Sequence, residues 1–154
     1  MYENIVVGTD GSATASKAVD KAADLAALAS ATLVIVSAYR PVPEERLRNE
    51  RSSVPEEVAY LVNSREEVDN LLAAAKKLAE SRGVKKVSTE AVASGASEAL
   101  LDVAEKVSAD LLVVGSKGMT GAKRFVLGSV PNRIAHHTPC DVLIVKTDPL
   151  GPES

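Results

Sequence analysis

The residues best suited to chemistry lie in a glycine-containing segment late in the chain. Gly115 and Gly118 are separated by two residues, and Gly128-Ser129 follows after nine more. Gly115 ends an apolar run where the backbone must turn away, and Gly118 lets the chain approach a ligand because it has no Cβ. A helix that opens at Gly128-Ser129 would present free N–H groups, the positive end of its dipole and a hydroxyl to an anion. The segment is therefore predicted to bind phosphate, rather than only to connect a strand to a helix.

A second polar feature follows the first apolar run of the chain. Residues 8–11 read GTDG, so Asp10 is expected to place a carboxylate across the same crevice, or to cap the helix that follows. This turn lacks the Gly-x-Gly-x-x-Gly fingerprint of dinucleotide-binding folds. No Gly-Lys-Ser/Thr follows Gly115 or Gly118 at the distance of a Walker A loop, so the lysine that contacts β and γ phosphates in P-loop enzymes is missing. The predicted phosphate site therefore belongs to another class.

Other reactive side chains form weaker patterns. His136 and His137 are neighbours on a predicted helix, where they point about 100° apart and cannot share one metal ion. Cys140 has no nearby basic residue in sequence, which favours a packed thiol over a nucleophile. No Gly-x-Ser-x-Gly sequence supports a hydrolytic triad built on Ser12 or Ser129. No catalytic residue is therefore predicted.

The composition narrows the class of ligand. The chain has 154 residues, with 18 Lys plus Arg against 21 Asp plus Glu, for a formal net charge of -3. That is the wrong sign for a protein that follows a nucleic-acid backbone. Trp is absent, and three Tyr and one Phe are too few for a base-stacking surface. Nucleic acid is therefore not an expected partner, whereas local backbone dipoles can hold one small phosphate ligand.

The cellular compartment is indicated by cysteine usage and by hydropathy. The single Cys140 cannot form an internal disulfide, which fits a reducing compartment. The longest stretch without a charged residue, residues 25–39, is too short and too polar to span a membrane. No positive segment precedes an apolar block at the start of the chain, so no secretory signal is expected. We expect a cytoplasmic protein that does not cross a membrane.

Alternating strands and helices must position the candidate residues. Runs of β-branched apolar residues predict strands, and apolar residues spaced three and four apart predict helices. Strands are predicted at residues 5–7, 32–39, 86–94, 111–114 and 141–145, and helices at residues 13–29, from near residue 55 to Gly83, 97–107 and 130–137. The alternation predicts an α/β fold with a five-stranded, mostly parallel, Rossmann-like sheet and helices on both faces. Its ligand crevice is expected at the carboxyl ends of the strands.

Two segments are expected to lie outside this arrangement. Residues 40–54 are rich in proline and charge, and are predicted to form a mobile excursion over the crevice. Residues 148–154 are predicted to form a tail. A single domain is therefore expected to cover residues 1–147. Its final strand, Asp141–Lys146, is expected at a sheet edge, where an apolar strand tends to pair with another chain.

The sequence resembles the universal stress protein family over nearly its whole length. The specific element is the pattern Gly-x2-Gly-x9-Gly-Ser/Thr, which Gly115, Gly118, Gly128 and Ser129 match residue for residue. Three further stretches are similar to the family, namely residues 5–12 (IVVGTDGS), 109–115 (ADLLVVG) and 139–145 (PCDVLIV). Family members with the complete glycine pattern bind ATP. The resemblance therefore implies nucleotide binding on a fold like that of the adenine nucleotide alpha hydrolases.

The resemblance also implies a role for each matched residue. Asp10 would lie close to the nucleotide and to its divalent metal, Mg²⁺ or Mn²⁺. Backbone groups near Ala38 would read the edge of the adenine. The residues implied to frame the adenine are Gly8, Thr9, Ala38 and Val114. Those implied to contact the ribose and phosphates are Gly115, Gly118, Gly128, Ser129 and Val130.

One departure bears on the identity of the nucleotide. Residues 37–41 (SAYRP), together with residues 8–12 and 127–131, resemble an actinobacterial branch of the family whose members bind cyclic AMP. A cyclic monophosphate needs only the start of the phosphate-binding segment, so the resemblance implies either ATP or cyclic AMP. Family members commonly dimerise through the last strand, which implies a homodimer through Asp141–Lys146.

Together these features predict a dimeric, adenine-nucleotide-binding regulator in the stress response, and a binding protein rather than an enzyme. One alternative is a slow Mg²⁺-dependent ATP hydrolase that uses Asp10. It has thin support because the motifs contain no second carboxylate or dedicated lysine to stabilise phosphoryl transfer. The other alternative is a nucleotide-independent interaction scaffold, in which the charged residues 44–57 recruit a partner.

Overall fold

The computed structural model describes residues 2–39, 65–116 and 129–147. Its strands are β1 (Asn4–Gly8), β2 (Thr32–Tyr39), β3 (Lys86–Ala93), β4 (Leu111–Gly115) and β5 (Asp141–Val145). Its helices are α1 (Ala13–Ala29), α2 (Arg65–Ser81), α3 (Ala96–Lys106) and α4 (Ser129–His137). Within these ranges strands and helices alternate from β1 to β5, which confirms the predicted α/β fold.

The strands form one parallel sheet in the order β3-β2-β1-β4-β5. β1 lies in the middle and pairs with β2 on one side and with β4 on the other. β5 pairs with β4 and lies at an edge of the sheet, as predicted. The chain runs outward from β1 to β3 and then returns to β4, so the direction of winding reverses between β1 and β4. In open α/β sheets, ligands bind at the carboxyl ends of the two strands that flank such a reversal.

Helices cover both faces of the sheet. α1 and α2 pack on one face, against Ile5 and Val7 of β1, and α3 and α4 pack on the other face, against Val6. All three of these side chains are completely buried, which explains why β1 has a continuous apolar sequence instead of an alternating one. α1 meets the sheet with small side chains, so the helix can approach closely. The buried alanines of α1 are Ala18, Ala22, Ala23 and Ala26.

Several predicted bounds agree with the structure. α1, β2 and β5 begin and end at the predicted residues, and β3 contains no fully buried residue, as its mixed sequence indicates. α2 ends at Ser81, and Gly83 has a φ of 98°, the left-handed conformation expected of a glycine after a helix. The predicted helix start near residue 55, the excursion at residues 40–54 and the tail at residues 148–154 lie outside the described residues.

The amino ends of the strands are tied together by two carboxylates. The Oδ2 atom of Asp110 accepts hydrogen bonds from the backbone N–H groups of Glu3 and Asn4, the latter at 3.0 Å. The Tyr2 hydroxyl donates to Oδ2 of Asp141 at 3.0 Å, which joins the start of the chain to the start of β5. The two backbone donors lower the pKa of the Asp110 carboxyl below its ordinary value of 3.8.

Asp110→Asn is expected to lower stability at neutral pH and to have a smaller effect in acid. Because folding lowers the pKa of Asp110, its carboxylate stabilises the native state fully above its ordinary pKa of 3.8 and loses this contribution as the pH falls further. Urea titrations at about pH 7 and about pH 2.5 should therefore show a shrinking difference between wild type and variant. Asp102→Asn, on the exposed surface of α3, is the control. A difference for Asp110→Asn that stays constant with pH would contradict this role.

Candidate functional site

The candidate site lies where the carboxyl ends of β1 and β4 meet. The two strands pair in parallel, with Val7 opposite Val113, so Gly8 and Gly115 end neighbouring strands at the same edge of the sheet. α1 leaves β1 toward one face, whereas α4 packs on the other face. The described helices that follow the two strands thus lie on opposite faces of the sheet, which is the arrangement in which open α/β sheets hold a ligand crevice at this end.

The turn after β1 is held by its own polar groups. The Thr9 N–H donates to the carbonyl oxygen of Val36 at 3.0 Å, which ties the end of β1 to β2. Thr9 Oγ1 accepts from the Gly11 N–H at 3.1 Å, and Asp10 Oδ1 accepts from the Ser12 N–H at 2.9 Å. Gly11 has a φ of 84°, which a residue with a side chain rarely adopts. Three hydrogen bonds within the chain therefore hold the shape of this turn.

One of the two interpretations of Asp10, that it caps α1, is wrong. The N-cap is Ser12, whose Oγ accepts from the Ala15 N–H at 3.1 Å. Asp10 is exposed, and its Oδ2 makes no hydrogen bond with the residues described. Among residues 2–39, 65–116 and 129–147, no three His, Cys, Asp or Glu side chains lie close enough together to form a metal site.

The end of β2 contributes a small residue and an aromatic one. Ala38, predicted to frame the adenine, is half-buried on the face of the sheet that α3 covers. Tyr39 lies on the opposite face, and the Arg65 guanidinium is 5.6 Å from the centre of its ring. Arg65 Nη1 also donates to the Tyr39 hydroxyl at 3.3 Å. No local pattern indicates this pair, because Arg65 is 26 residues from Tyr39 along the chain.

The end of β4 is closely packed. Val114 is buried, and a Cβ added to Gly115 would lie 2.8 Å from Cγ2 and 3.0 Å from Oγ1 of Thr147. A Cβ added to Gly8 would lie 2.9 Å from both δ carbons of Leu100. A side chain at Gly115 would therefore force Thr147 or the backbone to shift, whereas one at Gly8 would require Leu100 to move its δ carbons. Sequence reasoning predicted Gly115 from the turn and the ligand, and it missed Thr147.

α4 presents its first turn to the same edge of the sheet, because a helix between two parallel strands runs back from their carboxyl ends. Ser129 is exposed, Val130 is half-buried, and both N–H groups lie in the first turn, where no helical acceptor exists. Pro131 is tolerated there because it has no N–H to satisfy. Ile134 is completely buried and holds the helix on the sheet. Gly118 and Gly128 lie outside the described residues.

The histidines and the cysteine, which the sequence did not favour as metal ligands or as a nucleophile, lie away from the predicted crevice. His136 and His137 are exposed at the carboxyl end of α4. Burial raises the pKa of the Cys140 thiol, which makes the reactive thiolate rarer. The backbone N–H of Cys140 donates to Thr138 Oγ1 at 3.1 Å. These features fit a packed thiol. In the ranges that the structure describes, no helix is long and apolar enough to cross a membrane.

The chain is similar to known proteins over nearly all of its length. Residues 1–146 match the model of the Universal stress protein family. The universal stress protein Rv1636 of Mycobacterium tuberculosis strain H37Rv is 37% identical over 146 residues, which are 95% of this chain and 97% of that protein. A universal stress protein that was crystallised in complex with cAMP is 34% identical in sequence to this chain. The two structures match with a TM-score of 0.71 over 95% of this chain and 98% of the other. UspA from Lactobacillus plantarum, at 21% identity, shares the fold with a TM-score of 0.76 over 94% of this chain and 98% of its own.

Proposed function

Because the chain belongs to the universal stress protein family, we propose that it binds an adenine nucleotide in the crevice beyond β1 and β4. The proposal depends chiefly on the position of three matched residues. Gly115 ends β4, Ser129 opens α4 and Asp10 follows β1. All three therefore lie at the carboxyl ends of the strands, next to the point where the direction of winding reverses. The similar protein that was crystallised with cAMP supports the same class of ligand here.

The proposed contacts follow from the chemistry of the groups at this edge. The first-turn N–H groups of Ser129 and Val130, and the Ser129 hydroxyl, bind the phosphate, because they are donors at the positive end of a helix. Adenine lies among apolar and backbone groups at the ends of the strands. Those groups belong to Gly8, Thr9, Ala38 and Val114. Gly115 and Gly118 approach the ribose, and Gly128 completes the phosphate site.

Cyclic AMP is the proposed preferred ligand, with ATP as the alternative. Cyclic AMP carries one negative charge on a single phosphate, which the donors of one helix turn can bind. ATP adds two further phosphates and requires a cation. Asp10 Oδ2 is the group that would hold Mg²⁺ or Mn²⁺ against those phosphates, since its Oδ1 is already bonded to the Ser12 N–H. When bound, the cation would neutralise phosphate charge.

Thermal unfolding tests the proposal. Cyclic AMP at a hundredfold excess over its Kd should raise the unfolding midpoint by about 5–10 °C, because a ligand specific to the native state then adds about 2.7 kcal/mol. ATP with Mg²⁺ is measured in parallel and should give a smaller shift at equal concentration. Ser129→Ala removes a phosphate donor and should reduce the shift by cyclic AMP. Ser88→Ala, on the exposed edge strand β3, is the matched control and should leave the shift unchanged.

The outcomes separate the alternative functions. No shift with either nucleotide at millimolar concentration would contradict nucleotide binding and favour the scaffold hypothesis. If the protein releases phosphate from ATP faster than buffer does, and Asp10→Asn abolishes this activity, the protein is a hydrolase and the interpretation as a binding protein only is wrong. A larger shift with ATP and Mg²⁺ than with cyclic AMP would reverse the proposed order of preference.

The proposal includes a cytoplasmic homodimer that pairs through β5. This strand lies at the edge of the sheet, and its central side chains Val142, Leu143 and Ile144 are only half-buried. Pairing with a second copy would cover both the apolar side chains and the open hydrogen-bonding edge. Bound nucleotide would then favour one arrangement of the dimer in a stress response. Sedimentation velocity with and without cyclic AMP measures that coupling, and a monomer under both conditions would contradict it.

A further inference from the structure

The chain leaves the sheet after β4 through an unusual hydrogen-bonded pair. Gly115, the last residue of β4, is opposite Val145. The Ser116 N–H donates to the Val145 carbonyl at 2.8 Å, which extends the ladder beyond the strand. The Thr147 N–H then donates to the side-chain Oγ of Ser116 at 3.1 Å. We call these two residues the Ser116–Thr147 clasp.

The clasp replaces a backbone acceptor by a side-chain acceptor. In a regular parallel ladder in which the Ser116 N–H bonds to the Val145 carbonyl, the next donor, the Thr147 N–H, bonds to the carbonyl oxygen of Ser116. Here the hydroxyl of Ser116 takes that position. Serine side chains compete with the backbone in this way where a regular element ends. The Ser116 carbonyl is therefore released from the sheet while the Thr147 N–H keeps a partner.

Side-chain packing also restricts the position of Gly115. Thr147 is completely buried, although it follows the last strand. Its Cγ2 and Oγ1 occupy the space beside Gly115, at 2.8 and 3.0 Å from where a Cβ would be. Gly115 is thus fixed by the ladder on one side and by Thr147 against its Cα. The residue that begins the phosphate-binding pattern cannot shift without moving the chain after β5.

We propose that the Ser116–Thr147 clasp is a positioning unit for the nucleotide site. It holds the backbone at Gly115 and Ser116 in the orientation that receives the ligand, and neither of its side chains needs to contact that ligand. The clasp also makes nucleotide affinity depend on the position of β5, because Thr147 follows Val145, the last residue of that strand, by only two positions. This inference rests on the proposed nucleotide binding and adds two residues to it: Ser116, at an unspecified position of the family pattern, and Thr147, beyond the pattern.

Removal of the hydroxyl has a definite structural consequence. In Ser116→Ala the Thr147 N–H either loses its acceptor or bonds to the Ser116 carbonyl, as in a regular ladder. The first outcome loosens the segment after β5, and the second turns the peptide after residue 116 back toward the sheet. Both outcomes change the backbone that borders the crevice. Ser116→Thr keeps the hydroxyl acceptor and should keep the clasp.

Calorimetric titration with cyclic AMP tests the proposal on folded protein well below the unfolding midpoint. Ser116→Ala is expected to bind about tenfold more weakly, the scale of one lost or misdirected hydrogen bond. Ser116→Thr should stay within about twofold of wild type. Amide exchange of the Thr147 N–H, followed by NMR, should accelerate in the alanine variant and recover in the threonine variant. Ser81→Ala is the control, since its hydroxyl likewise bonds to a backbone group, by donating to the Leu78 carbonyl, but lies at the far end of α2.

The results distinguish failure of this inference from failure of the proposed function. If wild type binds neither cyclic AMP nor ATP, the proposed function fails, and the exchange of the Thr147 N–H alone reports whether the clasp forms. If wild type binds and Ser116→Ala binds equally well, the positioning role is wrong. Equal losses in the alanine and threonine variants would also overturn it, because the hydroxyl acceptor would then be irrelevant. Should Ser116→Ala fail to fold, Ser116→Cys keeps the size with a weaker acceptor and should bind more weakly than wild type.

Discussion

Gly115→Ala is expected to lower the free energy of unfolding by about 1–3 kcal/mol and to weaken nucleotide binding at least tenfold. The added Cβ would lie 2.8 Å from Thr147 Cγ2, closer than two carbon atoms can approach. Thr147 is completely buried and its side chain is short, so it cannot swing away at low cost. The strain must therefore move the backbone of β4 or of the chain after β5. Urea titration measures the stability, and calorimetry measures the affinity for cyclic AMP.

A double-mutant cycle tests whether this one contact causes the effect. Thr147→Ala removes both Cγ2 and Oγ1, and its Cβ would lie 3.5 Å from the new methyl group, which is ordinary contact. The Gly115→Ala/Thr147→Ala variant moves a methyl group from one side of the contact to the other. Its loss of stability should be smaller than the sum of the two single losses by about 1 kcal/mol or more. Additive losses would show that Gly115 is required for another reason.

Ile134→Ala is expected to destabilise the protein by about 2–5 kcal/mol, and Ile134→Val by about 0.5–1.5 kcal/mol. Ile134 is completely buried and packs α4 against the face of the sheet formed by Val6, Leu112 and Val114. The alanine variant loses that contact and leaves a cavity under a helix of nine residues. Because α4 carries the proposed phosphate donors, nucleotide affinity should fall in the same order as stability.

Leu28→Ala is the matched control for Ile134→Ala. Leu28 is 82% exposed on α1, so its truncation should change the free energy of unfolding by less than about 0.5 kcal/mol. Both variants are measured by urea titration under one set of conditions. A loss below about 1 kcal/mol for Ile134→Ala would mean that α4 contributes little to the folded core.

The fold could be predicted from the sequence because its signals are local. The β-branched runs and the helical spacing of apolar residues gave α1, β2 and β5 their bounds. The glycine after α2 was expected from the left-handed conformation that ends many helices. The parallel sheet then followed from general rules of chain connection, which need only the order of elements.

The candidate site could be predicted only in part. Its glycines were found by their spacing, but the contacts that explain them join residues distant in sequence. Thr147 and Ser116 are 31 residues apart, and Arg65 and Tyr39 are 26 apart. No local pattern marks such pairs, since each depends on the register of neighbouring strands or on a helix crossing. The alternation of burial offered one usable signal, because buried Val145, exposed Lys146 and buried Thr147 continue the pattern of β5, and Thr147 packs against Gly115 at the end of β4.

The contacts of Tyr2 and Asp110 have a practical consequence for experiments. They hold residues 2–4 at the amino ends of the strands, and β1, with five residues, places them about 17 Å from the crevice. A sensor surface coupled through the start of the chain would therefore leave the nucleotide site open to solution. The attachment point would lie close to Asp141, where β5 begins, and could block pairing of β5 with a second copy. Immobilised protein is thus suited to measuring nucleotide affinity, whereas self-association is better measured on untethered chains.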